Sequence, residues 1–276
     1  MFIIGHMMLR LYALRVFYAE RRLTMKHYFV ILPALFLSGC CEQPPSYTQI
    51  SQAYQNAVQD ASVATNDEIA NNLIAITPSN QKLIWNADKS KIKVVTWKSQ
   101  ASYEQHIKPK THTNPDQNCV KCVTWVSTAP EVQAFCQNYQ QSHQTATKED
   151  LDLRLKQYLG LRSDWQYDVF VEMWVSPDDL FRPCPDTETT DTSCSIRLPA
   201  PSTKGIQDYA HFYKELYFLD FGGLPSNPVT PWTGLGYTYD WGNPASVKGA
   251  SEFILNPNTP YEIIQVFSTM DYCNHD

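Results

Sequence analysis

Met25-Lys26-His27 leads into ten apolar residues, Tyr28 to Leu37, and then into Ser38-Gly39-Cys40. A basic start, a greasy middle and small residues at the end make the pattern of a secretory signal. The run is too short for a permanent span, which takes about 20 residues, and Pro33 interrupts it. Whatever follows such a signal folds in an oxidising compartment, so the downstream cysteines constrain the fold more than any other feature. Cys119, Cys122, Cys136, Cys184, Cys194 and Cys273 form an even set, which reads as a disulfide framework whose pairing the sequence leaves open. Cys184 and Cys194 enclose only nine residues and are the one expected pair. A zinc site built from Cys119, Cys122, Cys136 and His143 is the alternative use of the thiolates, and the compartment disfavours it. Cys119-x-x-Cys122 has thiol-oxidoreductase spacing, but the expected strand there would not lower a thiol pKa as a helix start does.

Leu37-Ser38-Gly39-Cys40 resembles the lipobox of bacterial lipoproteins. The resemblance implies cleavage before Cys40, a diacylglycerol on its thiol and a palmitate-type acyl group on its amine. Two or three chains make such an anchor durable, since one chain holds poorly. An ordinary cleaved signal with an incidental cysteine is the alternative. Cys41 and Glu42 follow instead of an aspartate, so the implied address is the outer membrane of a Gram-negative envelope, facing the periplasm or the exterior. Residues 1–24, with Arg10, Arg15, Arg21 and Arg22, are expected to be an upstream extension, and 25–39 the signal. Residues 40–79 read as a lipid-bearing tether with a helix, and 80–276 as the globular domain.

Removing residues 1–39 takes away five basic residues and one acid, which moves the net charge from −6 to −10. That surface repels nucleic acid, leaving the membrane, an envelope glycan or an envelope protein as expected partners.

Ile50, Ala53, Tyr54, Ala57, Val58 and Ala61 share one helical face. Leu83–Trp85 and Lys91–Trp97 flank the turn formers Asn86–Ser90, which predicts a hairpin. A strand is expected from about Val120 to Ser127, followed by a capping box at Thr128-Ala-Pro-Glu131 that opens a helix burying Val132, Phe135, Cys136 and Tyr139. Thr147 caps a second helix ending at Gly160. Asp168 to Val175 alternates strongly, with one face in the core and Glu172 on the other, either a partly covered sheet face or the wall of a cleft. Ile206 to Tyr217 marks a third helix, and Ser251–Leu255 and Tyr261–Ser268 the last strands. The expected fold is α+β: a largely antiparallel mixed sheet covered by helices in one disulfide-braced domain.

Asp186, Glu188 and Asp191 offer hard oxygen ligands for calcium inside the Cys184–Cys194 loop, without EF-hand spacing; no other cofactor is expected. Trp232, Tyr237, Tyr239 and Trp241 sit among glycines, as in grooves where rings stack on a ligand. They predict a binding or accessory module. The alternative is an envelope hydrolase or transferase using Glu172, Asp240 or Glu252 as paired carboxylates, glycosidase-like in chemistry. Ser251-Glu252-Phe253-Ile254-Leu255 with the strand Tyr261–Val266 resembles the closing strands of ADP-ribosyltransferase folds. There a glutamate orients the nicotinamide ribose, a role the resemblance gives to Glu252. The strand Val169–Val175 departs from that pattern in lacking an arginine.

Overall fold

In the computed structural model, residues 45–222 and 230–275 are described, so the signal, Cys40 and its expected lipid lie outside the described residues. Helix α1 (Tyr47–Ala61) starts at a true capping box, in which Ser46 and Gln49 satisfy each other's backbone amides. Ala57 and Ala61 bury against Tyr239 and Trp241, and Leu73, Ile74 and Ile76 enter the core further on. The compact body thus takes in residues well before 80.

Strand β1 (Ile92–Lys98) is preceded by a turn closed by Asn86 N–H on Lys91 O at 3.0 Å. The expected hairpin partner is reduced to one bridge, Trp85 with Ile92. After β1 come the short helical turn α2 (Gln100–Ser102), β2 (Thr124–Thr128), α3 (Ala129–Ser142), α4 (Lys148–Tyr158), β3 (Val169–Val175) and β4 (Leu180–Phe181). The chain then forms α5 (Tyr209–Phe221), β5 (Tyr237–Tyr239), β6 (Lys248–Ser251), β7 (Phe253–Leu255), β8 (Glu262–Ser268) and α6 (Thr269–Asn274). Six strands make one antiparallel sheet in the order β4-β7-β2-β1-β3-β8, and β5 and β6 pair separately. The result is an α+β body braced by three disulfides, Cys119–Cys122, Cys136–Cys273 and Cys184–Cys194.

Alternation along β1 and β3 feeds two cores. Ile92, Val94, Val171, Met173 and Val175 fill one face, while Val95, Trp97 and Phe170 meet α3, α4 and α6 on the other. Helix α5 closes a third core around Phe181, Tyr209, Phe212 and Trp232. Both faces of β3 are therefore covered, where the sequence pattern left the Glu172 face as partly covered or a cleft wall.

Two local expectations change. Val120–Cys122 is a 3-10 turn and the strand begins at Thr124. The bridge holds the Cys119 and Cys122 Cα atoms 5.2 Å apart, whereas an extended chain would separate them by about 10 Å. At the start of α3, Thr128 has cap dihedrals but makes no side-chain cap bond. Glu131 is used elsewhere, accepting from Ser251 N at 3.0 Å and Ser251 Oγ at 3.2 Å. Gly160, at φ +67°, turns the chain out of α4 in a conformation that side-chain-bearing residues avoid. No helix among the described residues is long and apolar enough to cross a membrane.

Candidate functional site

β1 and β2 pair only at Val94 with Thr128 and Val95 with Ser127. Beyond that point each strand keeps its other neighbour, β3 for β1 and β7 for β2. A cavity of about 530 Å3 is lined by Thr96, Trp97 and Lys98 from β1 and by Trp125, Val126 and Ser127 from β2. Asp220 from α5, Trp232, Tyr239 and Glu252 also line it, and Trp165 and Tyr167 add further rings. The volume suits a small molecule, and aromatic walls with few polar groups are the usual composition of such sites.

Glu252 is placed by topology. Ser251 ends β6, which pairs in the small sheet, and Phe253 begins β7, which pairs in the large one. Glu252 is the single residue between, its N–H held by Gly236 O at 3.1 Å. Its carboxyl is pushed up to about 8, first by burial and then by the charge of Asp220, with Trp232 opposing. Among the described residues neither Glu252 Oε1 nor Trp232 Nε1 has a hydrogen-bond partner. The indole is therefore near enough to favour the anion without reaching bonding geometry. Buried polar atoms left this way are costly, and a ligand in the cavity can satisfy them.

Asp220 is pushed up to about 6 by burial, against hydrogen bonds from Thr230, whose hydroxyl donates to Oδ1. Lys98 sits in the wall, where desolvation pulls its amine below the usual range. The cavity thus carries two carboxyls titrating at separated values and the amines of Lys98 and Lys121, among tryptophans and tyrosines.

Of the residues singled out by sequence, Glu252, Trp232 and Tyr239 meet in this cavity. The others do not. Tyr237 donates its hydroxyl to Glu68 O at 2.8 Å, and Trp241 donates to Leu161 O at 3.0 Å while packing edge-on against Tyr54. All four rings of the aromatic segment are 2–7 % exposed, so the segment is core and cavity wall, not an open groove.

Glu172 and Asp240 do not line the cavity. Glu172 pairs with Lys93 at 2.9 Å, and Asp240 takes a bidentate clamp from Arg154 at 2.7 and 2.6 Å. Lys93→Met would strand the Glu172 charge and is expected to destabilise the protein by about 2 kcal/mol in urea unfolding, short of the full cost of a buried pair because Lys93 is partly exposed. An unchanged midpoint would mean Glu172 is not held by this ion pair.

The acidic loop serves another purpose. Asp191 binds the fully buried Arg182 at 2.7 Å, and Ser193 O and Ile74 O take further N–H groups of the same guanidinium. Asp186, Glu188 and Asp191 do not converge, and no cluster of three or more metal-binding side chains occurs among the described residues. Cys119, Cys122 and Cys136, the zinc alternative, are all in disulfides.

Asp220 and Lys98 were missed. Asp220 had a readable signal, since it is the one charge in Leu216-Tyr217-Phe218-Leu219-Asp220-Phe221, at a helix end where a negative charge is unfavourable. No protein-family model, curated protein or solved structure matches this chain.

Proposed function

We propose that the chain is an exported, lipid-anchored envelope enzyme that breaks a glycosidic bond in the cavity between β1 and β2. The observation that carries this reading is the carboxyl pair Glu252 and Asp220 in one aromatic cavity, with pKa values pushed to about 8 and about 6. Two carboxyls whose environments separate their titrations divide acid from base. Near neutral pH Asp220 is an anion that stabilises an oxocarbenium-like centre, and Glu252 holds a proton for a leaving oxygen. Tryptophan and tyrosine faces suit a sugar or base, and the Lys98 amine suits an anionic substituent.

Cleavage of 4-nitrophenyl glycosides tests the acid–base assignment. kcat/KM should be bell-shaped, rising as Asp220 ionises near pH 6 and falling as Glu252 loses its proton near pH 8. Asp220→Asn should cost roughly 100-fold or more, remove the acid limb and shift the alkaline limb to lower pH, because the charge that raises Glu252 is gone. A profile flat from pH 5 to pH 9 defeats the assignment.

A second reading follows the resemblance of Ser251–Val266 to ADP-ribosyltransferase closing strands and is favoured by the position of Glu252 in the cavity. There the donor is NAD+ and the leaving group nicotinamide, which needs no proton. Glu252 would then act as the anion, and nicotinamide release would rise with pH through about 8 instead of falling. If neither substrate class turns over, yet a ligand protects the tryptophans from quenching in both wild type and Glu252→Gln, the cavity is a binding site alone.

A further inference from the structure

The turn Cys119–Val123 is a wall of the cavity that the proposed chemistry does not use. Val120, Lys121 and Val123 line the cavity, and the turn packs against α5, the helix that carries Asp220. Cys119–Cys122 closes the turn across a sequence separation of 3. Both its cysteines are partly exposed, whereas Cys136, Cys184, Cys194 and Cys273 are 0–2 % exposed. Exchange requires a thiolate to reach a sulfur, so access alone separates this bridge from the other two.

The other bridges, at separations of 10 and 137 residues, both lie in the core. Lys121 is exposed and lies between the two cysteines in the chain, so its positive charge on the same turn favours a thiolate in the reduced pair. The strand expected here would have argued against redox chemistry, but the segment is a turn.

We infer that Cys119–Cys122 is a redox-active bridge, opened by an external dithiol while the other two disulfides stay closed, and that its opening loosens the Val120–Val123 wall of the cavity. One reductant thiolate attacks a sulfur of the pair and forms a mixed disulfide, releasing the other cysteine as a thiolate that takes up a proton. The second reductant thiol then displaces the first cysteine, which is protonated in turn. Two electrons pass to the protein, and the reductant leaves as its own disulfide. The inference rests on the cavity wall and holds whichever reaction the cavity performs.

The test uses the intact chain, purified without reductant, with graded dithiothreitol under native conditions and quenching by iodoacetamide. Peptide mass spectrometry should find Cys119 and Cys122 alkylated at reductant levels where the other four are less than about a tenth labelled, given their burial. Amide exchange in the peptide covering Val120–Val123 should quicken in the same samples, and trypsin should begin to cut after Lys121. A Cys119→Ser/Cys122→Ser variant that stays folded should show the same fast exchange without reductant. Simultaneous labelling of all six bridged cysteines overturns the selectivity, and wall exchange that is unchanged in both reduced protein and variant overturns the control of the cavity.

Discussion

Replacing Cys136 and Cys273 together by alanine should destabilise the protein by about 5 kcal/mol, the largest loss expected from any one cross-link here. The bridge spans a sequence separation of 137 and fastens α3 to α6, with its cysteines 0 and 1 % exposed. Without it the unfolded chain regains the entropy of a loop covering half the protein, and α6 is left to hold by hydrogen bonds such as Tyr272 hydroxyl to Ala129 O at 2.7 Å and Trp97 Nε1 to Thr269 Oγ1 at 3.0 Å. In a body of this size the loss corresponds to a fall in melting temperature of roughly 10–20 °C. Cys184→Ala/Cys194→Ala is the internal comparison, with an expected cost of about 3 kcal/mol for its shorter loop. Urea unfolding of both variants without reductant decides it. If the long bridge costs no more than the short one, chain entropy is not what Cys136–Cys273 supplies.

The same contrast shows how far the fold could be read from residues. Cys184 with Cys194 was legible because a short loop between cysteines is itself a geometric constraint. Cys136 with Cys273 was not, because its partner lies on α6, a six-residue helix with almost no periodic signal. The strands and helices that alternate cleanly, β3, α1 and α4, were plain from pattern and caps. The cavity was not, because it exists only where β1 and β2 stop pairing, and no residue in either strand announces that.

Charge misled in one direction and informed in the other. Glu172 and Asp240 stand in aromatic or glycine-rich surroundings and look like candidates for chemistry. Lys93 and Arg154 answer them in space, from 79 and 86 residues away in the chain. Asp220 and Glu252 have no cation bonded to them among the described residues, which is what sets them apart from Glu172 and Asp240, and sequence cannot show it. The aromatic segment 232–241 failed as a surface for a related reason: rings dense enough to form a groove are also dense enough to fill a core, and here burial won.

The carboxyl left without a cation should leave its mark on stability. Glu252 is protonated in both states below about pH 4.5, so it contributes nothing to pH dependence there. Between that point and about pH 8 the unfolded chain releases a proton that the folded chain keeps, and stability falls as pH rises. Above about pH 8 the loss is complete, and from the two pKa values it amounts to roughly 4–5 kcal/mol. Glu252→Gln carries no titrating group at this position and should escape the loss. The variant is therefore expected to pull ahead of the wild type by about 4 kcal/mol between pH 5 and pH 9, or about 10 °C in melting temperature, and, under the proposed function, to lose glycosidic cleavage. On the proposed acid–base role, Glu252 weakens the fold at the pH where it would act, which is the trade expected of an active-site residue. Parallel stability curves for wild type and variant across that range would show that Glu252 is not held in a desolvated cavity, and the acid–base assignment would fall with it.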